Sequence, residues 1–257
     1  MTSDPIADAL DVAAEAGALL LAHLHEPLAI REKERRADIV TLADSQSERL
    51  IVSRLRAKYP AATILTEEAG VHEGTSQERW IVDPLDGTTN FAHSYPLWNV
   101  SIAYERDGAI VAGVVYAPAM NECFAAERGA GARVGKTPIR VSEIAHLGAA
   151  LTCTGFHPAD FARNGKEFAA VSDRAQAVRR DGAAALDLAY VACGRFDGFW
   201  EFDLHAWDVA AGSLIIAEAG GCVTCADGSP LDIFAGSILG TNGRIHEELK
   251  SVLRRAR

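Results

Sequence analysis

Between Asp4 and Leu24 the apolar positions recur at helical spacing, with Ile6, Leu10, Ala13, Gly17, Leu20 and Leu24 along one face. Asp4 is placed to cap the helix and Pro5 to occupy its first turn, where a missing N–H costs nothing. An amphipathic core helix is expected. Thr41-x-x-Asp44 has the form of a capping box in front of a second helix that runs through Lys58 and stops at Pro60. Asp44 therefore has a structural task available whatever else it does. From Ala61 the period changes to short apolar runs, ATIL and then WIV, followed by NVSIAYERDGAIVAGVVYAPAMNECFAAERG. Asp107-Gly108 marks a tight hairpin, so an antiparallel meander is expected.

After about residue 145 strand-like and helix-like segments alternate. ALTCTG precedes a helix near 160 to 175, then come QAVRR, the helix AALDLAYVACG, the strand FDGFWEF, a helix from His205 to Ala219, and GSILGT before a terminal helix. This half reads as α/β. The chain has no internal repeat, low-complexity tract or Pro/Ser-rich linker. One domain over 1–257 is expected, its α+β half (about 1–145) sharing an interface with an α/β half (about 146–257).

Length and composition narrow the function. The 257 residues suffice for a sizeable core, and 49% hydrophobic with 23% charged residues is the balance of a soluble globular protein. A net charge of -10 repels polyphosphate backbones, and the longest basic cluster, Arg31 to Arg36, is broken by Glu32 and Glu34. Nucleic-acid binding is disfavoured, and a phosphate-handling role requires bound cations. MTSDPIADAL lacks the features of a signal peptide and no stretch approaches a membrane span, so a cytoplasmic location without membrane contact is expected. The five cysteines are scattered, and the pair in Cys222-Val-Thr-Cys225 has no second CxxC to complete a zinc site. Packing cysteines are expected.

The chemistry concentrates in WIVDPLDGTTNF, residues 80 to 91. Trp80-Ile81-Val82 reads as a buried strand that runs out at Asp83, and Pro84 turns the chain so that Asp83 and Asp86 face one pocket. The turn frees the Leu85 carbonyl, and Gly87-Thr88-Thr89 start a helix whose first N–H groups suit a phosphate. Carboxylates and carbonyls select hard cations such as Mg²⁺. A plain surface turn uses the same residue types. Two observations weigh against it: Thr66-Glu67-Glu68 places acids at the end of ATIL, and Asp208 stands at the start of the apolar helix DVAAGSLIIAEAGG. Rival motifs fail on spacing. An EF-hand loop lacks its third- and fifth-position acids and has Ser94 where its bidentate Glu belongs. Gly129-Ala-Gly131 lacks a third glycine, and no HExxH, GxSxG or GxxxxGK[ST] is present.

Asp83-Pro-Leu-Asp86-Gly-Thr-Thr-Asn-Phe91 resembles the first signature of the inositol monophosphatase family of Mg²⁺-dependent phosphatases. Trp207-Asp208-Val-Ala-Ala with Glu218-Ala-Gly-Gly221 resembles its second, and the similarity runs from about Lys33 to Asn242. The resemblance implies a layered α/β/α/β/α sandwich, a homodimer and inhibition by lithium. It makes Glu67, Asp83, Asp86, Asp208 and the Leu85 carbonyl ligands of two or three Mg²⁺ ions, with Mn²⁺ a substitute. Asp44, Thr88 and Glu67 become the catalytic group, with Thr88 and Asp44 orienting and deprotonating the attacking water. Gly87, Thr88 and Thr89 would hold phosphate oxygens, while Asp86, Ala184 and Glu201 line the alcohol side and Gly182 allows close backbone approach. Lys33 matches a lysine near the family's site. Asp181 departs from the small or apolar residue that is commoner in the family and adds an acid beside the alcohol pocket. Trp200, before Glu201, is expected to pack.

The implied reaction is in-line hydrolysis of a small phosphomonoester by metal-activated water, with inositol-1-phosphate the foremost substrate. Histidinol phosphate, fructose-1,6-bisphosphate and adenosine bisphosphate are the alternatives within the superfamily. The resemblance also implies, for some bacterial relatives, a role with RNA polymerase in ribosomal RNA synthesis.

Overall fold

The computed structural model describes residues 4–24, 31–32, 39–156 and 161–256. Lys33 lies outside the described residues. Helix α1 spans Pro5–His23, and the Asp4 side chain caps it by accepting from the Ala7 N–H at 3.3 Å. Its buried face shares Ala13, Gly17 and Leu20 with the expected one but is rotated toward Ala9, Val12 and Ala16, with Ile6, Leu10 and Leu24 packed partly buried at the flank. Close approach decides this rotation. A Cβ on Gly17 would lie 2.4 Å from a Tyr116 ring carbon, so the small residues let the helix settle onto the sheet.

Helix α2 covers Leu42–Lys58 and begins with the expected capping box. It packs with α1 on one face of an eight-stranded sheet. The sheet order is Thr137–Pro138, Gly131–Val134, Glu122–Glu127, Ala109–Ala117, Asn99–Arg106, Arg79–Asp86, Thr63–Thr66 and Gly70–His72. The central meander turns at Asp107 and Gly108, whose φ values of 53° and 73° are those of a tight hairpin. Thr63–Thr66 and Arg79–Asp86 run parallel, with Thr66 beside Val82. That register carries the next residues, Glu67 and Asp83, to the same end of the sheet.

The strand does not run out at Asp83, as expected from the sequence, but continues to Asp86 through an irregular register between the two acids. Proline has no N–H to give, so the ladder skips Pro84 and resumes at Asp86 opposite Asn99. After the five-residue α3, Thr88–Ala92, and the meander, the chain enters a five-stranded sheet. Its order is Ala177–Arg179, Leu151–Thr154, Gly198–Phe202, Ser237–Thr241 and Cys222–Thr224.

The remaining helices are α4 (Phe161–Ser172), α5 (Ala184–Ala192), α6 (Ala206–Glu218) and α7 (His246–Ala256). Helices α5 and α6 are apolar almost all round because they lie between the sheets, touching both. Helices α4 and α7 pack together beside the second sheet. Three apolar clusters result: α1 and α2 on the first sheet, α5 and α6 between the sheets, and α7 with Trp200 and Leu239 beyond them. The expected α/β/α/β/α layering is what these contacts build, and fully buried Trp200 packs as expected. Among the described residues no helix is long and apolar enough to cross a membrane.

Candidate active site

The strand ends of both sheets and the first turns of α5 and α6 meet at a cleft of about 640 Å³. The first sheet brings Glu67, Asp86 and the turn Gly87, Thr88 and Thr89 to it; the second half brings Asp181, Gly182, Ala184, Glu201 and Asp208. Asp83 is 2% exposed just beneath. Its carboxyl is raised well above the usual range, first by burial and then by repulsion from Glu67, Asp86 and Asp208. Four acids from three separate stretches of the chain therefore act on one another in one place.

Local structure fixes each acid. Asp86 Oδ2 accepts from Asn99 Nδ2 at 2.7 Å and from the Ala185 N–H, in the first turn of α5, at 2.9 Å. Burial raises Asp86 to about 6 against the pull of those two bonds. Asp83 Oδ1 accepts from the Leu85 N–H at 3.0 Å, which shapes the turn. Asp208 is the third residue of α6, and its Oδ2 accepts from the His205 N–H at 2.7 Å. Glu201 is raised by burial and then by Asp208 and Asp86. It fits because Gly155 has no side chain: a Cβ there would fall 2.2 Å from Glu201 Oε2.

Asp44 does two things with two oxygens. Oδ2 closes the capping box, accepting from Thr41 N at 2.8 Å and Thr41 Oγ1 at 2.5 Å. Oδ1 accepts from Thr88 Oγ1 at 2.9 Å, which also lies 3.1 Å from the Leu85 carbonyl oxygen. Desolvation raises Asp44, and the bonds from Thr41 and Thr88 oppose it. Ser47 Oγ donates to the Pro84 carbonyl at 2.8 Å, so α2 holds the acidic turn from behind. Gly87 precedes α3 at φ 86°, where a Cβ would meet the Leu97 carbonyl at 2.9 Å.

Further residues of the site take their roles only in three dimensions. Asn90 Nδ2 donates to the carbonyls of Leu97 (2.7 Å) and Asp181 (2.8 Å), tying the turn to the segment before α5. Tyr95, Phe156, Arg180 and Leu204 also line the cleft, with Arg180 over the Phe156 ring at 4.7 Å. Asn90 stands inside the signature, so the sequence offered a clue to it; Asn99 and Arg180 carried no local signal.

The donor set fits hard divalent cations. Carboxylates crowd round Asp83, a backbone carbonyl borders them, and their mutual repulsion is the field that a cation neutralises.

A five-layer α/β scaffold with this cleft between its halves is that of a phosphoric monoester hydrolase. The chain belongs to the inositol monophosphatase family, whose model matches residues 3–257. It is 46% identical over 228 residues to an inositol-1-monophosphatase of Synechocystis, covering 87% of this chain and 79% of that one. It is 39% identical over 255 residues to the Nus factor SuhB of Salmonella typhimurium, covering 96% and 94%. The crystal structure of the extragenic suppressor protein suhB from Bartonella henselae matches with a TM-score of 0.94 at 41% identity, over 98% of this chain and 99% of that one. The family is generally metal-dependent.

Proposed function

We propose that the protein hydrolyses small phosphomonoesters with Mg²⁺, inositol-1-phosphate foremost, releasing the alcohol and inorganic phosphate. The observation that carries this reading is the convergence of Glu67, Asp86 and Asp208 on one cleft, with buried Asp83 in the same turn, beside a hydroxyl already paired to a buried carboxylate. Those four acids and the Leu85 carbonyl would hold two or three Mg²⁺ ions, or Mn²⁺ in their place. When bound, the ions supply charge neutralisation at the phosphate and a lowered pKa for bound water.

The chain's own residues do the rest. Thr88 Oγ1 donates to Asp44, leaving its lone pairs to accept a proton from the attacking water and pass its own proton to Asp44 Oδ1. Glu67, on the same cleft, would border that water. Backbone N–H groups of Gly87, Thr88 and Thr89, at a turn that only glycine enters without strain, hold phosphate oxygens opposite the leaving alcohol. Glu201, Asp86 and Ala184 face the alcohol, and polar acceptors there favour a polyol.

A panel of phosphomonoesters assayed with Mg²⁺ tests the reading. Inositol-1-phosphate should have the highest kcat/KM against histidinol phosphate, fructose-1,6-bisphosphate and adenosine bisphosphate. Phosphate release from none of them would overturn it. The family resemblance extends the proposal to a homodimer, a cytoplasmic setting and inhibition by lithium. The similarity to a Nus factor supports a second reading, an accessory role with RNA polymerase. Recovery of polymerase by an Asp83→Asn protein would separate that role from catalysis, and its failure to bind wild type would end it.

A further inference from the structure

Behind the alcohol side of the cleft lies a second group of acids that the proposed reaction does not use. One donor atom from each of Cys153, Asp181 and Asp187 lies within 4.8 Å of the others. Two donors on one tetrahedral zinc lie about 3.6 Å apart, so side-chain rotations that draw these atoms in by about an ångström close the group on one ion. Cys153 projects from the strand Leu151–Thr154, Asp187 from the first turn of α5, and Asp181 from the loop between.

Asp187 is the observation that calls for a ligand. It is 1% exposed, and neither carboxylate oxygen has a hydrogen-bond partner; the group beside it is the Cys153 thiol, a weak donor. A buried carboxylate without partners costs about 1–3 kcal/mol or more, so such groups are found satisfied by an ion, a water or a proton. The sulfur is a soft donor and is fully buried, and the Asp181 N–H lies against it as an outer-shell partner would. Asp181, half-buried on the cleft wall, opens the path from solvent.

We propose that Cys153, Asp181 and Asp187 form a cation site for a thiophilic divalent ion of the zinc class, separate from the acids of the reaction centre. The thiolate distinguishes it, because the reaction-centre donors are all oxygen. Binding releases the thiol proton and any proton held by the two acids. It also fixes the Asp181–Gly182 segment, whose carbonyl receives Asn90, and so stiffens one wall of the cleft.

The test uses the full chain in excess Mg²⁺, which occupies the oxygen-only acids, titrated with Co²⁺ while thiolate-to-cobalt charge-transfer absorption is recorded. One equivalent should give the band. Cys153→Ser should abolish it, Asp187→Asn and Asp181→Asn should weaken binding by about tenfold or more, and the double change Cys222→Ser with Cys225→Ser should leave it intact. No band from folded wild type, or a band that survives Cys153→Ser, overturns the proposal; Asp187 is then a buried acid kept protonated. Asp181 sits in a half-buried loop, so Asp181→Asn serves if the buried variants unfold. Unchanged cobalt affinity in that variant also overturns the three-residue site.

Discussion

Replacing Asp86 by Asn separates what the acid cluster does for chemistry from what it does to the fold. Asp86 rises from 3.8 to about 6, so the folded protein holds a proton there through a pH range in which the unfolded chain has lost it. Stability of the metal-free protein therefore falls as pH climbs from about 4 to about 6 and stays low above. At about 1.4 kcal/mol per pH unit, the ionised group costs the metal-free fold about 3 kcal/mol at neutral pH. Asn has nearly the same shape, and its carbonyl oxygen can still accept from Asn99 and the Ala185 N–H. In EDTA near pH 7.5 the variant should thus melt roughly 6–12 °C above wild type, and near pH 4 the two should coincide. Added Mg²⁺ should close most of that gap, since an ion held at a hundred times its Kd returns about 2.7 kcal/mol to wild type and less to the variant. Thermal unfolding followed by circular dichroism at the two pH values measures this. A variant no more stable than wild type in EDTA at the higher pH would refute the picture of a buried carboxylate whose ionisation costs the metal-free fold stability.

Asp83→Asn should lower phosphate release by roughly 10²–10³-fold or more while far-UV circular dichroism stays native; unchanged turnover would remove Asp83 from the ligand set. Thr88→Val should reduce kcat by roughly 10²–10⁴-fold with the Mg²⁺ dependence kept, and Thr88→Ser should restore most of the loss. A Thr88→Val enzyme of wild-type kcat would exclude the hydroxyl relay. Gly87→Ala forces a side chain to φ 86° against the Leu97 carbonyl, so a loss of about 1–2 kcal/mol or more is expected by urea titration; wild-type stability would show that the turn relaxes freely.

Features set by neighbours in the chain were legible before the structure. The capping box at Thr41 and Asp44, the Asp107-Gly108 hairpin and the acidic turn at 83–90 depend on residues within a few positions of one another. What tertiary distance decides was not legible. The rotation of α1 follows the close approach of the Tyr116 ring at Gly17, which covers Ala9 and Ala16 and leaves Leu10 and Leu24 only partly buried. The strand persists past Pro84 because Asn99 on its neighbour takes up the register again. The pairing of Gly155 with Glu201 joins two strands whose parallel register no local pattern reveals. Asp181 was legible as an oddity beside the alcohol pocket; its nearness to Cys153 and Asp187 required the fold.

The division of labour at Asp44 limits what evolution or design can put there. An amide in its place has one donor end and one acceptor end. With the acceptor kept on Thr41, the donor end meets Thr88, whose hydroxyl must then receive rather than give. The hydrogen of that hydroxyl would point away from position 44, and the route for a proton leaving water would be cut with hardly an atom displaced.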